Sequence, residues 1–296
     1  MFNMNLSEVF SNFESPLLEK SRNMDKITDV DAPIAMCVEV SDNGIIQSEL
    51  NDLPKSLEPC TTYEIDGDIY ETDSNGEIYK KNGELIPNTE YTINGITYKT
   101  DENGRIISWE GTPGYNPDAD RDTEAQTDAG GEDRKDGDDG GHLVARVLDG
   151  SPGNENIVPM RDTVNRGDYK RSENEIANAK KNGKDVQDSG YIIYEGDSSR
   201  PSKIERTYFI DGQKRELKVD NVEGSKDLLE DVKSDISEED YESLEERISD
   251  MEADGSDVSV TSVYKKYDAD GNLESVTVGI RDETNGTKTY IKYDAK

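Results

Sequence analysis

Alternating apolar and polar residues dominate the second half of the chain and predict antiparallel β-strands there. The clearest hairpin joins Ile204–Ile210 to Lys214–Val219 through Asp211-Gly212, a dipeptide favoured in two-residue hairpin turns. A shorter run at Tyr191–Tyr194 precedes it, and residues 257–294 return to the same alternation. We therefore expect an antiparallel sheet in this part of the chain.

Helical periodicity is confined to a few segments. One helix is predicted at Asp168–Lys181, because Asn182-Gly183 directly after it is a typical stop signal. Residues 225–252 also have a helical pattern, with Ser237 as the expected N-cap and an acidic residue three positions later. Two weaker helical patterns occur near the start of the chain, at Ser7–Phe13 and Pro16–Met24.

Residues 63–107 contain an internal repeat. The pattern that begins at Tyr63 recurs 28 residues later at Tyr91, and in each copy a Gly-containing turn pair separates two short β-type runs. Asn75-Gly76 and Asn103-Gly104 mark a second turn in each copy. Two copies are too few for a solenoid. We predict a small β-module, with carbohydrate or cell-wall binding as the alternative role.

A strand–turn–strand–helix pattern follows this module. Residues 111–141 are rich in Gly, Asp, Pro and Thr and are predicted to form a loop. A first strand is expected at His142–Val147, a turn at Asp149–Gly153 and a second strand at Asn156–Met160. The helix predicted at Asp168–Lys181 completes the pattern.

The charge of the chain argues against an ordinary nucleic-acid binder. Hydrophobic residues make up 31% and charged residues 34% of the 296 residues, and the net charge is −33. Phosphate binding normally needs a basic surface. The acidity is unevenly distributed, however: residues 142–200 hold 10 acidic and 9 basic residues, whereas residues 225–254 hold 13 acidic and 3 basic residues. The strand–turn–strand–helix region is therefore nearly neutral.

Two further features bear on where the protein acts. Cys37 and Cys60 form no Cys-x-x-Cys pair, which excludes a cysteine zinc site and leaves either one disulfide or two separate thiols. The N-terminal sequence lacks a basic stretch followed by an apolar core, and no run of 18 apolar residues occurs. We expect no membrane insertion, and either export without a classical signal peptide or a cytoplasmic location.

The only histidine, His142, follows Asp138-Asp139-Gly140-Gly141. A single histidine is more often structural than catalytic, but its neighbourhood changes this judgement. Asn156 comes 14 residues later, then Asn165, and then Glu173 on the predicted helix. An imidazole with an unperturbed pKa of about 6.5 suits a general base. An asparagine side-chain oxygen is a hard ligand that suits Mg²⁺.

These ordered elements resemble the DNA/RNA non-specific endonuclease family, a branch of the ββα-metal or His-Me finger nucleases. Its members carry Asp-x-Gly-His, then Asn-Ile/Leu-x-Pro-Met/Gln, then Asn-x-Gly and a helical Glu. The spacings agree, with nine residues from Asn156 to Asn165 and eight from there to Glu173. The run Gln126–Arg134 resembles the Gram-positive and polymorphic-toxin branch. The resemblance covers roughly residues 88–222.

The resemblance implies a role for each motif residue. His142 is expected to be the general base that activates water, and Asn165 to hold Mg²⁺, with Mn²⁺ as the alternative ion. Asn156 and Glu173 are expected to orient the site. Asp139 is expected to support the strand of His142 or to brace the imidazole ring. The products would carry 5′-phosphates.

One position departs from the family pattern. In the Asp-Arg-Gly-His form of the motif an arginine can stabilise charge in the transition state, but the chain has Gly140 there. Another cation must take this role. The candidates are Arg134, Arg146, Arg166 and Lys170. We favour Arg134 as the catalytic cation, because it belongs to the Ala-Gly-Gly-x-x-Arg run.

We expect an α+β protein built on a ββα-metal core with an accessory antiparallel β-sheet. Four regions are predicted: a weakly structured or helical segment at 1–62, β-hairpin repeats at 63–112, the nuclease core at 113–222, and an acidic helical and β extension at 223–296. The acidic helical stretch 225–252 is expected to be a solvated amphipathic pair. The alternative is that it mimics nucleic acid and covers the cleft.

The predicted function is that of a metal-dependent, non-specific endonuclease that cleaves DNA, with RNA as a second substrate. We expect a bacterial toxin or exported effector with a dedicated immunity or inhibitor protein as its partner. The alternative is a decayed, nuclease-like binding protein whose acidic surfaces bind a basic partner. The complete set of His142, Asn156, Asn165 and Glu173 favours the enzyme.

Overall fold

The computed structural model describes residues 46–48, 56–120 and 123–296. It divides into two compact units, Met1–Ile106 and Ile107–Lys296. The described residues as a whole combine mainly antiparallel strands with few helices, as expected of an α+β protein. The helices predicted near the start of the chain lie outside the described residues, and so does Cys37, one of the two cysteines for which either a disulfide or two separate thiols is expected.

The described part of the first unit consists of short strands. Five of them form a sheet in chain order, in which the first pair is parallel and the others are antiparallel, while the last two strands form a hairpin. The strands are β1 (Ile46–Ser48), β2 (Thr62–Ile65), β3 (Asp68–Thr72), β4 (Ile78–Lys81), β5 (Glu84–Leu85), β6 (Glu90–Ile93) and β7 (Ile96–Thr100).

The internal repeat has a common structural basis. Asp73 Oδ1 accepts hydrogen bonds from the backbone amides two and four residues later, at 2.8 and 2.9 Å. Asp101 Oδ1 does the same in the second copy, at 2.9 Å for both bonds. These side chains fix the turns that contain Gly76 and Gly104, whose φ angles of 81° and 75° favour glycine.

The second unit contains a longer sheet, a separate strand pair and the helices. Its sheet is antiparallel with the strand order β16-β15-β14-β13-β12-β11-β8. The strands are β8 (Ile106–Gly111), β9 (Asp138–His142), β10 (Ile157–Arg161), β11 (Val186–Tyr194), β12 (Pro201–Ile210), β13 (Gln213–Asp220), β14 (Val258–Tyr267), β15 (Leu273–Asp282) and β16 (Lys288–Asp294). The helices are α1 (Thr123–Asp128), α2 (Asp162–Val164), α3 (Lys170–Lys181), α4 (Glu230–Lys233) and α5 (Glu238–Ala253).

The strand pair β9–β10 and the helix α3 form the region that the motifs single out. β10 runs antiparallel to β9, with Ile157 opposite His142. The prediction of a first strand at His142–Val147 is wrong. The strand ends at His142, and the apolar residues after it enter a buried loop and a short 3₁₀ turn at Arg146–Leu148. The second strand and the helix lie close to where they were predicted.

Helix α3 packs against one face of the long sheet. Arg206 and Tyr208 of β12 reach this helix by hydrogen bonds to Ser172 and Glu175, at 3.3 and 2.6 Å. Because side chains alternate along a strand, Lys203 of β12 lies on the opposite face, where it forms an ion pair with Asp227 just before α4.

The acidic segment therefore belongs to the far side of the sheet. Helices α4 and α5 bury Val232, Leu244 and Ile248 in a core with valines of β14 and β15. Ser237 caps α5 as predicted, accepting a hydrogen bond from the amide of Asp240. The predicted boundary between residues 222 and 223 falls inside this unit, because β14 pairs directly with β13. No helix among the described residues is both long and apolar enough to cross a membrane.

Candidate functional site

A cleft of about 840 Å³ opens in the second unit beside the β9–β10 pair. Its lining includes His142 from the end of β9, Asn165 from the segment before α3, and Glu173 from the first turn of α3. Arg134, the favoured catalytic cation, also lines it. Four of the five predicted site residues thus share one cleft. The fifth, Asn156, is completely buried behind it.

Two glycines allow the strand of His142 to pack closely against its neighbours. A Cβ atom at Gly140 would lie 2.2 Å from the backbone oxygen of Gln126 in α1. A Cβ atom at Gly141 would lie 2.5 Å from the sulfur of Met160 in β10. Neither position has room for a side chain, so the arginine of the family motif does not fit at Gly140. This packing explains the departure from the motif.

Asn156 closes the loop that follows His142. Its Oδ1 accepts a hydrogen bond from the amide of Val144 at 2.9 Å, and its Nδ2 donates to the carbonyls of Val144 and Ser151, both at 2.8 Å. A buried backbone group without a partner costs about 1–3 kcal/mol. One side chain therefore satisfies three such groups and fixes the backbone just beyond His142.

Asp139 holds the two residues at the mouth of the cleft. It accepts a hydrogen bond from Asn165 Nδ2 at 3.0 Å and two from the guanidinium of Arg166, at 2.8 and 2.6 Å. Burial raises the pKa of the Asp139 carboxyl, but these hydrogen bonds outweigh it and keep the pKa below its usual value. Since Asp139 takes the amide nitrogen of Asn165, the amide oxygen Oδ1 is the atom left for a ligand.

The segment that carries Asn165 is a kinked entry to α3. Residues Asn165–Tyr169 form a π-type turn, which is broken at Gly167 with φ −98° and ψ −112°. Tyr169 is fully buried, and its hydroxyl donates to the carbonyl of Leu143 at 2.7 Å. This bond ties the start of α3 to the residue after His142. Together with the contacts of Asp139, it joins the two halves of the site directly.

Glu173 lies one turn into α3 and is only 5% exposed. Burial raises the pKa of its carboxyl, while Lys170 and Arg206 act in the opposite direction. Lys170 Nζ lies 3.1 Å from its Oε2. The geometry combines a carboxyl, an amide oxygen and an imidazole around one polar space.

Four basic side chains line the cleft among the described residues, and each has a partner within the protein. Arg134 donates to the carbonyls of Gln126, Thr127 and Ala129 in and after α1, and to that of Asp138 at the start of β9. Arg146 donates to the carbonyls of Asp120 and Gly150. The other two are Lys170, beside Glu173, and Arg166, whose side chain is 70% exposed.

The sequence motifs do not include the buried residues that support this site from behind. Asp138, one residue before Asp139, forms a buried bidentate ion pair with Arg200 at 2.7 and 2.8 Å. Asn221 links β10 to β12, accepting from the amide of Arg161 and donating to the carbonyls of Pro159 and Pro201. In the sequence, the charge of Asp138 and the amide of Asn221 are the signals that could indicate such a role. Their partners are distant in sequence, so these signals do not reveal the contacts.

Comparison with known proteins bears on the same region. Residues 87–212 match the model of a family described as DNA/RNA non-specific endonuclease. The chain is also 36% identical over 110 residues to the type VII secretion system protein EssD of Staphylococcus aureus, in strains USA300 and NCTC 8325 / PS 47. These matches cover 35% of this chain and 18% of each relative. Residues 87–212, which hold the whole cleft, therefore form a domain of the DNA/RNA non-specific endonuclease family, as the motifs indicated.

Proposed function

We propose that the second unit is a metal-dependent, sequence-non-specific endonuclease that hydrolyses phosphodiester bonds in DNA, with RNA as a further substrate. The convergence of His142, Asn165 and Glu173 on one cleft carries this proposal. The family match supports the nuclease class. The substrate preference, the ion and the role of each residue belong to the proposal.

The donor set around the cleft fits a hard divalent cation such as Mg²⁺ or Mn²⁺. The described residues contain no group of three or more His, Cys, Asp or Glu side chains arranged to hold a metal. Mg²⁺ commonly keeps several waters and takes one or two protein ligands. Asn165 Oδ1 would hold the ion, and Glu173 would orient the surrounding waters. When bound, the ion would supply positive charge to the scissile phosphate.

His142 would move the proton. It lies at the end of β9, half-buried and lining the cleft, where its imidazole can accept a proton from an attacking water. Three contacts fix the backbone around it: the close packing of the glycines in β9, the hydrogen bond of Asn156 with Val144, and the bond from Tyr169 to Leu143. Proton transfer depends on such positioning, since small displacements of a catalytic group cost large factors in rate.

Arg166 is the better candidate for the cation that faces the phosphate. The Nη atoms of Arg134 donate to four backbone carbonyls, so moving its guanidinium would release α1 from β9. Arg166 is 70% exposed and donates its hydrogen bonds to the side chain of Asp139, from which it can turn to a phosphate without disturbing the backbone. We therefore assign Arg134 a positioning role and Arg166 the contact with the substrate.

The biological setting proposed from the relatives is that of an exported nuclease. EssD is named as a protein of a type VII secretion system, and the family match at residues 87–212 includes the cleft. We propose that this chain is a toxin or effector exported by such a route. A nuclease with this role requires an immunity protein in the producing cell, which we expect to cover the cleft.

Plasmid digestion tests the enzymatic proposal. Wild-type protein should nick and linearise plasmid DNA with Mg²⁺ and lose this activity with a chelator. His142→Ala and Asn165→Ala should each lose at least about a hundred-fold in rate. Asn178→Ala is the matched control, because Asn178 is exposed on α3 and does not line the cleft. Absence of cleavage of DNA and RNA by wild type would favour the binding-protein alternative.

A further inference from the structure

The last strand of the chain contacts the kink that carries Asn165. Lys288 begins β16, well beyond residue 212, where the family match ends. Its Nζ lies 2.5 Å from Asp168 Oδ2, and a Cβ atom built at Gly167 would lie 3.4 Å from the same nitrogen. The two side chains of this ion pair are 14% and 6% exposed. A buried contact therefore joins the C-terminal strands to the kink.

A second cation shares the same carboxylate. Arg171 in the first turn of α3 lies 3.4 Å from Asp168 Oδ1, and its guanidinium stacks on the ring of Tyr290 at 4.4 Å. Tyr290 is two residues after Lys288 on β16, so both belong to the same face of that strand. The strand thus contacts the kink through Lys288 and the first turn of α3 through Tyr290.

The kink contains one irregular residue and is held by contacts on both sides of it. Gly167 departs from helical geometry, and glycine has the widest conformational freedom of any residue. On its N-terminal side, Asn165 and Arg166 bind Asp139 through exposed or half-buried side chains. On its C-terminal side, Asp168 is buried against Lys288. The direction of the Asn165 amide therefore depends on these two contacts together with the bond from Tyr169 to Leu143.

We propose that Lys288 is a positioning residue for the nuclease site, acting through Asp168 to hold the kink so that Asn165 presents its amide oxygen to the metal. This inference rests on the proposed function. It adds that β14–β16, outside the family match, complete the active domain. Outer contacts of this kind commonly change metal affinity or activity by about 10- to 100-fold.

Binding of Mn²⁺ in the absence of nucleic acid separates positioning from catalysis. It is measured through the EPR signal of the free ion. Lys288→Met should weaken Mn²⁺ binding at least about ten-fold. Lys288→Arg, which keeps the charge, should bind within about three-fold of wild type. Lys288→Met alone leaves the buried carboxylate of Asp168 without its lysine partner. The double variant Asp168→Asn/Lys288→Met removes that charge as well, so it should fold as stably as wild type and still bind Mn²⁺ weakly.

Lys265→Met is a closely matched control. Lys265 of β14 forms an ion pair of the same length, 2.5 Å, with Asp235, and the two side chains are 13% and 17% exposed. This pair lies against α4 and does not line the cleft. The control should lose stability without losing Mn²⁺ affinity. The same Mg²⁺ requirement for cleavage in Lys288→Met and wild type would also count against the proposal.

The outcomes separate the two proposals. Wild-type Mn²⁺ affinity in Lys288→Met and in the double variant, with active wild-type protein, overturns the positioning role and leaves the nuclease standing. A wild-type protein that neither binds Mn²⁺ nor cleaves nucleic acid overturns both. Weak binding in both variants, with recovery in Lys288→Arg, supports the positioning role.

Discussion

Replacing Gly140 by alanine or arginine tests whether the site depends on the close approach of β9 to α1. A family-based argument predicts that Gly140→Arg restores the missing motif arginine and increases activity. The structure predicts the opposite, because the first side-chain atom would lie 2.2 Å from the oxygen and 2.5 Å from the Cα of Gln126. Both are backbone atoms, so rotation of a side chain cannot relieve the overlap.

The size of the effect follows from this overlap. Restoring ordinary van der Waals separation requires a shift of about 1 Å in β9 or α1. Overpacking of this kind costs about 1–3 kcal/mol. In a unit of this size each kcal/mol lowers Tm by about 2–4 °C, so Gly140→Ala should lower it by about 2–12 °C. A displacement of about 1 Å at His142 should reduce the cleavage rate by up to about a hundred-fold.

Thermal unfolding and plasmid cleavage measure the two effects. Gly212→Ala is the control, because Gly212 lies in an exposed hairpin turn where a new Cβ meets nothing within 4 Å. Its φ of 79° makes alanine unfavourable, so this variant should lose stability but keep wild-type activity. Wild-type Tm and cleavage in Gly140→Ala, or increased cleavage in Gly140→Arg, would refute the reasoning.

Two further predictions concern the supports of the site. Asn156→Ala leaves three buried backbone groups of Val144 and Ser151 without their partner. Urea unfolding should therefore show that the free energy of unfolding falls by about 3 kcal/mol or more. A decrease of less than about 1 kcal/mol would contradict this role of Asn156. Burial raises the pKa of Asp138, but hydrogen bonds from Arg200 and the amide of Lys135 outweigh it and lower the pKa below 3.8. A lowered folded-state pKa stabilises the protein above the unfolded value and loses this contribution as the pH falls through the folded value. Asp138→Asn should therefore reduce Tm at pH 7, and the difference in Tm between variant and wild type should become smaller below about pH 4. If this difference in Tm does not change with pH, ionisation of Asp138 does not contribute to stability.

The parts of the fold that were predicted correctly are those with local signals. The hairpin β12–β13 has alternating residues around Asp211-Gly212, α3 ends at its Asn-Gly stop signal, and Ser237 caps α5. Each depends on contacts within a few residues, where propensity and periodicity apply. The motif spacings likewise predicted the residues that share the cleft.

The errors arose where distant contacts decide the structure. Asp138–His142 has the composition of a loop, yet it forms β9 because Gly140 and Gly141 permit close packing against α1 and Met160. The apolar run after His142 is buried in a loop because Asn156 supplies its backbone partners. The choice among the candidate cations also depends on distant contacts and stays a prediction, since sequence cannot reveal that four backbone carbonyls accept hydrogen bonds from the guanidinium of Arg134.

The acidity of the chain is compatible with a nuclease because of where the charges lie. The acidic helices α4 and α5 occupy the face of the sheet opposite α3, and none of their residues lines the cleft. At physiological ionic strength the field of exposed charges decays over about 8 Å. A phosphate in the cleft therefore responds mainly to the local groups, where Arg166 is paired with Asp139 and Lys170 with Glu173. Because these pairs cancel, the positive charge that remains for a phosphate comes from Arg134 and Arg146, which line the cleft and donate to uncharged backbone carbonyls. In the proposed mechanism, the metal and the release of Arg166 from Asp139 would add to this attraction.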